Sequence, residues 1–136
     1  MAVTANSIIT PQAPQSSNAA CSAANTNYTT NPPNTVLLAT AGPNGARVTR
    51  ISAVPLETLT SAVQLQLFRS RDAGATKSFF ESAAAAAHTL ADTTEVPTTD
   101  FGFSDDNPLI LAPNERIYAA VRVARQITFN AEWADY

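Results

Sequence analysis

The chain has 136 residues, 45% of them apolar, which suits one folded domain with an extension and needs no disulfide bonds to hold a core. Only 14% of the residues are charged, the net charge is −3, and the eight Lys and Arg are scattered, so a phosphate-binding groove for nucleic acid is not expected. No run approaches the ~20 apolar residues of a membrane span, and the N-terminus lacks the pattern of a secretory signal. The single cysteine, Cys21, cannot form an intrachain bridge, which leaves a free thiol or an intermolecular disulfide.

Residues 1–34 contain no charged side chain, and the first charge in the sequence is Arg47. Four prolines keep this segment extended and argue against a long helix or a central strand. The segment is either a disordered tail or an arm that becomes ordered on a neighbouring subunit, and its lack of charge favours the arm. Ile8, Ile9 and Tyr28 are its only sizeable anchors, so we predict that they bind the neighbour. Removal of residues 1–33 should then leave the body folded and weaken assembly.

The folded body is predicted over residues 35–136, and it begins with strands. Residues 36–41 are apolar on both faces, as in a strand between two layers, and the Gly- and Pro-containing segment 41–46 predicts a turn. Residues 47–54 predict the next strand, and their imperfect alternation places it near a sheet edge.

Residues 62–71 alternate clearly between apolar and polar side chains, which predicts a strand with one buried face. Phe68 interrupts the polar face and is a candidate surface contact. A turn at residues 72–74 followed by TKSFF predicts a hairpin. Residues 83–91 predict either a short helix, which five consecutive alanines favour, or a strand of small residues.

Residues 92–106 carry five of the eleven acidic side chains and predict a long loop. The stretch 107–124 predicts a hairpin, whose second strand has one apolar face and one face with arginines; Tyr118 lies on that second face as another candidate surface contact. A last alternating strand runs to the C-terminus. Seven or eight short strands predict an all-β fold, an antiparallel β-sandwich or jelly-roll-like body with an extended N-terminal arm.

No catalytic, metal or cofactor motif emerges from the sequence. His88 has no adjacent nucleophile motif, one Cys and one His are too few for zinc, and the acidic loop lacks the spacing of a calcium site. Outward aromatic residues could form a sugar-binding platform, with Phe68, Tyr118 and Trp133 as candidates, although Trp133 is in phase with core positions. We therefore expect neither an enzyme nor a cofactor.

Three segments, LQLFRSRDAGATKSFFES, TTDFGFSDDNPLILAPNERIYAAV and FNAEWADY, resemble small structural proteins of the virions of tailed bacteriophages and prophages. The resemblance covers roughly residues 35–136 and excludes the arm. It implies a head decoration or cement protein, made in the host cytoplasm and located on the capsid surface. The implied partners are the major capsid protein and other copies of the chain. The implied assembly is a homo-oligomer, and a trimer is one such assembly.

Two other functions compete with capsid decoration. One is a tail, neck or fibre-associated structural protein with the same sandwich, and the other is a carbohydrate-binding β-sandwich module. Neither nucleic acid nor a membrane is expected as a partner.

Overall fold

The computed structural model describes residues 10–29 and 32–136, which form two antiparallel sheets. These residues contain nine strands and no helix, and hence no helix that could cross a membrane. The strands are β1 (Ala13–Cys21), β2 (Val36–Thr40), β3 (Ala46–Pro55), β4 (Val63–Ser70), β5 (Ser78–Ala85), β6 (Thr99–Asp100), β7 (Leu109–Leu111), β8 (Arg116–Val121) and β9 (Ile127–Asp135).

Sheet A has the order β1-β9-β3-β6, with β7 also paired to β3, and sheet B has the order β2-β8-β4-β5. All pairings between these strands are antiparallel. The inner faces of the two sheets supply one continuous hydrophobic core, so the predicted antiparallel β-sandwich is confirmed.

Period-two alternation places the core residues correctly in three strands. In β9 the buried side chains alternate with half-buried or exposed ones along Ile127–Ala131, as they do where Val63 and Leu65 enclose Gln64 in β4. In β8 the inward residues Ile117, Ala119 and Val121 are fully buried, as predicted. Strand alternation is a geometric consequence of the pleat, and it holds wherever one face meets the core.

Strand β3 lies in the interior of sheet A, and its predicted place near an edge is wrong. It pairs with β9 on one side and with β6 and β7 on the other. A register shift between Val48 and Arg50 inserts one residue, Thr49, into the pairing with β9. This bulge changes the phase of the alternation, which explains why the pattern in the sequence resembles an edge strand.

The predicted hairpin over residues 107–124 is also wrong, because its two strands belong to different sheets. Strand β7 pairs with β3 in sheet A, whereas β8 pairs with β2 and β4 in sheet B. Between them the chain turns a corner at Asn114, whose φ of 59° is left-handed, and at Glu115, whose backbone N–H donates to the Ala112 carbonyl at 3.1 Å. The predicted turn therefore exists, but it connects sheet A to sheet B.

The Glu115 side chain holds this corner from inside the protein, at 1% exposure. Its carboxylate accepts two hydrogen bonds from Arg69, at 2.6 and 3.0 Å, and a third from the Ala112 N–H at 2.8 Å. Burial alone would raise the pKa of Glu115, but these hydrogen bonds and the charges of Arg69 and Arg71 outweigh it and lower the pKa below its usual range. The ionised carboxylate thus fixes the crossing from β7 to β8.

The β4–β5 hairpin is confirmed, and residues 83–91 contain no helix. Strand β5 continues through Ala85, and His88 then forms an isolated bridge with Leu59. The alanine-containing end of β5 pairs through its backbone with β4, where Ala83 lies opposite Leu65. Tertiary pairing therefore overrides the helix propensity of the alanine run.

The body includes residues that the sequence analysis assigned to the arm. Strand β1 pairs with β9 of the same chain over nine consecutive positions, from Ala13 opposite Asp135 to Cys21 opposite Ile127. Ala19 and Cys21 enter the hydrophobic core. The expectation that residues 1–33 are dispensable for folding is corrected accordingly, since their removal would delete a strand of sheet A.

Candidate interaction surface

Strand β1 forms the outer edge of sheet A and differs from the other sheet edges of the described residues. It has nine residues, no charged side chain and no shift in its register with β9. Strand β6 has only two residues and β7 three, β2 has five with a register shift, and β5 contains Glu81 and a register shift. Bulges, charges and shortness are the usual devices that keep sheet edges from pairing with other chains. Apart from Pro14 near its start, β1 has none of them.

The N-terminal two thirds of β1 is the accessible part of this edge. Residues 13–18 are exposed or half-buried, whereas Ala19 and Cys21 are buried. At the far end of β1, the Cys21 thiol lies 3.5 Å from the Ala119 carbonyl of sheet B, so the strand leans against the second layer there. We define residues 13–18 as the β1 edge. Among the described residues no strand pairs with the side of β1 that faces away from β9.

After β1 the chain crosses to sheet B and covers part of its outer face. The backbone of Asn25 donates to the Val121 carbonyl at 2.7 Å, and its side-chain amide donates to Gln66 Oε1 at 2.8 Å. Asn25 and Gln66 are both fully buried, so each satisfies the other where water cannot reach. Residues 22–29, which we name the strap, thus attach the N-terminal segment to both layers of the sandwich.

Burial of both side chains corrects the prediction that Phe68 and Tyr118 are surface contacts. Phe68 is 0% exposed and Tyr118 is 8% exposed, although both point to the outer face of sheet B. Phe79 meets the rings of Phe68 and Tyr28 edge to face, with centroids 5.5 and 4.8 Å away. Tyr28 of the strap thus packs on Phe79, and Phe79 packs on Phe68. The Tyr118 ring lies instead against the Lys77 ammonium, 4.7 Å from its centre. Neither predicted contact residue is exposed for stacking on a sugar.

Tyr28, predicted to bind a neighbouring subunit, contacts its own chain. Its hydroxyl donates to Gln64 Oε1, and the Arg122 guanidinium lies 5.1 Å from the centre of its ring. Ile8 and Ile9, the other two predicted anchors, lie outside the described residues.

The outer face of sheet A is polar and carries a shallow groove of about 630 Å³. Two rows of side chains cross the sheet: Ser16, Glu132 and Arg50 in one, and Asn18, Asn130 and Ser52 in the other. Arg50 lies 3.7 Å from the Asp100 carboxylate in a pair that is half exposed on both sides, so it is a weak surface ion pair. The lining of this groove contains no aromatic side chain. The groove is accounted for as part of the solvent-facing side of an antiparallel sheet.

Neither a metal-binding cluster nor an oriented histidine is found in the part of the chain that the structure describes. Within residues 10–29 and 32–136, no group of three or more His, Cys, Asp or Glu side chains is placed to hold a metal ion. The His88 imidazole Nε2 is buried and has no hydrogen-bond partner among these residues, so nothing there orients it as a base.

Cys21 is a core side chain at 1% exposure, and an intermolecular disulfide would require β1 to leave the sheet. Burial raises the pKa of its thiol to about 12, which suppresses the reactive thiolate. We therefore predict that a thiol reagent labels the folded protein at pH 8 at least 100-fold more slowly than the protein unfolded in urea. Equal labelling rates in the two states would show that Cys21 is accessible. Treatment with a reductant should also leave the oligomeric state unchanged.

The sequence did not predict the β1 edge. The β1 edge lacks a strong strand signal, because among residues 13–21 only Ala19 and Cys21 face the core and most others are small and polar. The one signal in the sequence was the absence of charge in residues 1–34. It predicted a segment that contacts other surfaces, but not the strand position of that segment in sheet A. No family model matches this chain, and a comparison with curated proteins likewise finds no match.

Proposed function

We propose that this protein is a structural component of the virion of a tailed bacteriophage, most closely a head decoration or cement protein. It would bind the major capsid protein and copies of itself on the capsid surface. The resemblance of residues 35–136 to small phage structural proteins supports the virion as the setting. The observation that carries the mode of action is the β1 edge, an uncharged sheet edge that no described residue covers.

An open sheet edge binds by backbone hydrogen bonds, which need neither charge nor a deep pocket. Every second residue of an edge strand directs its N–H and C=O groups away from the sheet, where another chain can pair with them. The low charge of the whole sequence, 14%, agrees with a surface used for contacts. A protein that acts by adhesion requires nothing more elaborate.

The construction of the sandwich suits a protein that reinforces a shell. The N-terminal segment joins sheet A through β1 and sheet B through the strap, so one continuous stretch fastens the two layers together. The corner at Glu115 fastens them again near the β7–β8 crossing. Many copies on one lattice then gain affinity by avidity, even where each contact is small.

Burial of the predicted aromatic residues disfavours the carbohydrate-binding alternative. Phe68, Tyr118 and Trp133 are all buried, and no aromatic side chain lines the groove on sheet A. A tail, neck or fibre-associated protein shares the adhesive mechanism and differs from the head protein only in its position on the particle.

Particles labelled with a specific antibody test this proposal. Gold-conjugated antibody against the chain should decorate the heads of intact virions, and virions grown from a phage with the gene deleted should show no label. Heads from the deletion phage should also release DNA at lower temperature, since they lack the cement. Label restricted to the tail would replace the proposal with the tail-associated alternative, and unlabelled wild-type virions would refute a virion role.

A further inference from the structure

We propose that the β1 edge pairs antiparallel with the β1 edge of a second copy, so that sheet A continues across a two-fold axis into the partner. The role of this contact in a virion rests on the proposed function. The contact itself involves only two copies of this chain.

The β1 edge is open, regular and exposed, which strand pairing requires. The nine-residue ladder with β9 has no register shift, so the outward backbone groups of every second residue in 13–18 keep the regular spacing of a strand. Pro14 alone in this segment has no N–H to donate. Their side chains are short and uncharged, being Ala13, Pro14, Gln15, Ser16, Ser17 and Asn18. Another strand can therefore approach at the usual separation of about 4.8 Å without displacing a bulky or charged group.

A second β1 is the occupant that this chain itself can supply. Strands β6 and β7 are too short to match six residues, and both β2 and β5 are interrupted by register shifts. Strand β5 would also bring the charge of Glu81 against the edge. Pairing of like with like is isologous and closes at two copies, which avoids open-ended fibres. In a larger oligomer the same contact would link neighbours two at a time.

The far end of β1 limits the length of the contact. Cys21 lies against Ala119 of sheet B, so the pairing stops near Asn18. Six residues on each side bury less than the ~1,200 Å² of a stable protein interface. The contact is accordingly weak between free molecules, and it becomes effective at the high local concentration of a lattice.

Disulfide trapping tests the contact directly. The natural thiol is first removed with Cys21→Ala, and single cysteines are introduced with Gln15→Cys, Ser16→Cys or Ser17→Cys, which covers neighbouring registers around the axis. Matched controls place one cysteine at exposed positions of the other long edges, with Thr40→Cys on β2 and Ser82→Cys on β5. Mild oxidation should link at least one β1 variant into covalent dimers at least tenfold faster than either control. Equal rates for all variants would overturn the proposal.

A charge on the edge provides the second test. Ser16 lies opposite Glu132 within its own sheet, so Ser16→Lys gains a favourable cross-strand neighbour and should not disturb the fold. Across a two-fold axis at residue 15, 16 or 17, however, the two lysines would be direct or diagonal neighbours on the same face of the sheet and would repel. We expect sedimentation velocity at high protein concentration to show reversible dimers of the wild type, and Ser16→Lys to weaken them at least tenfold, with Ser82→Lys as the unaffected control.

A wild type that stays monomeric at millimolar concentration, or a Ser16→Lys variant that dimerises as well as the wild type, would contradict β1 pairing. Neither test involves the virion, so the outcomes separate from those of the antibody experiment. Dimers in solution with unlabelled virions would uphold the self-contact and refute the virion role. Labelled heads with no trapped dimers would uphold the virion role and refute the self-contact.

Discussion

A chain that lacks residues 1–33 is expected to lose its cooperative fold, whereas a chain that lacks only residues 1–12 should keep it. The longer deletion removes β1, and with it the buried Ala19 and Cys21 and the cover on one side of β9. It also removes the strap, and with it the Asn25–Gln66 hydrogen bond and the contact of Tyr28 with Phe79. The lost burial and the lost hydrogen bonds together cost on the order of 5 kcal/mol. That is comparable with the whole stability of a small domain, about 5–15 kcal/mol.

Urea denaturation followed by tryptophan fluorescence measures both truncations, since Trp133 lies in β9 beside β1. Within the described part of the chain, removal of residues 1–12 breaks the hydrogen bond from the Gln12 N–H to the Asp135 carbonyl and leaves β1 intact, so the midpoint should stay close to that of the full chain. A stable, cooperative transition of the chain without residues 1–33 would mean that β1 and the strap are not part of the folding unit. The arm would then be separate from the body, as the sequence alone suggested.

Replacement of Glu115 is expected to produce the largest effect of a single substitution. Glu115→Ala removes the carboxylate that accepts from Arg69 and from the Ala112 N–H, and it leaves Arg69 without its counter-charge. Loss of one partner of a buried ion pair costs 3–5 kcal/mol, and about 3 kcal/mol applies here because the Arg69 side chain is 26% exposed. The free energy of unfolding, obtained from urea titration, reports the change.

The same carboxylate makes stability depend on pH in a defined direction. The pKa of Glu115 is lower in the folded protein than in the unfolded chain, where a glutamate titrates near pH ~4.3. Its contribution is therefore complete above the unfolded pKa and is lost as the pH falls through the lower folded pKa. Glu115→Gln should remove this part of the acid dependence. Asp100→Asn is the matched control, because the pair with Arg50 is exposed and the asparagine Oδ1 can still accept the hydrogen bond from the Gly102 N–H. This substitution should change stability by less than about 1 kcal/mol. An acid dependence unchanged by Glu115→Gln would contradict the ionised state of the carboxylate.

Local patterns predicted the strands well and their partners poorly. Strands β4, β8 and β9 could be located from alternation alone, because a strand with one buried face has an apolar residue at every second position. The sheet to which a strand belongs depends on contacts distant in sequence. The β7–β8 hairpin failed because Glu115, held by Arg69, redirects the chain into the second layer. A turn motif looks the same whether it joins neighbours in a sheet or crosses between sheets.

The place of the N-terminal segment also depends on contacts distant in sequence. The lack of charge in residues 1–34 predicted an interacting arm, but nothing local revealed that residues 13–21 pair with the last strand, more than a hundred residues away. Burial of Phe68 likewise depends on residues distant in sequence, since Phe79 packs on its ring and Tyr28 of the strap packs on Phe79. Exposure of a side chain on a strand's polar face cannot be read from its phase when another segment covers that face.

The most direct test of adhesion at the capsid is a cryo-electron microscopy reconstruction of the phage head, in which the chain can be traced. We predict density for the β-sandwich at regular lattice positions on the outer surface, with the β1 edge in contact with a neighbouring polypeptide. A head without such density, or sandwiches bound there with the β1 edge facing solvent in every copy, would contradict the account.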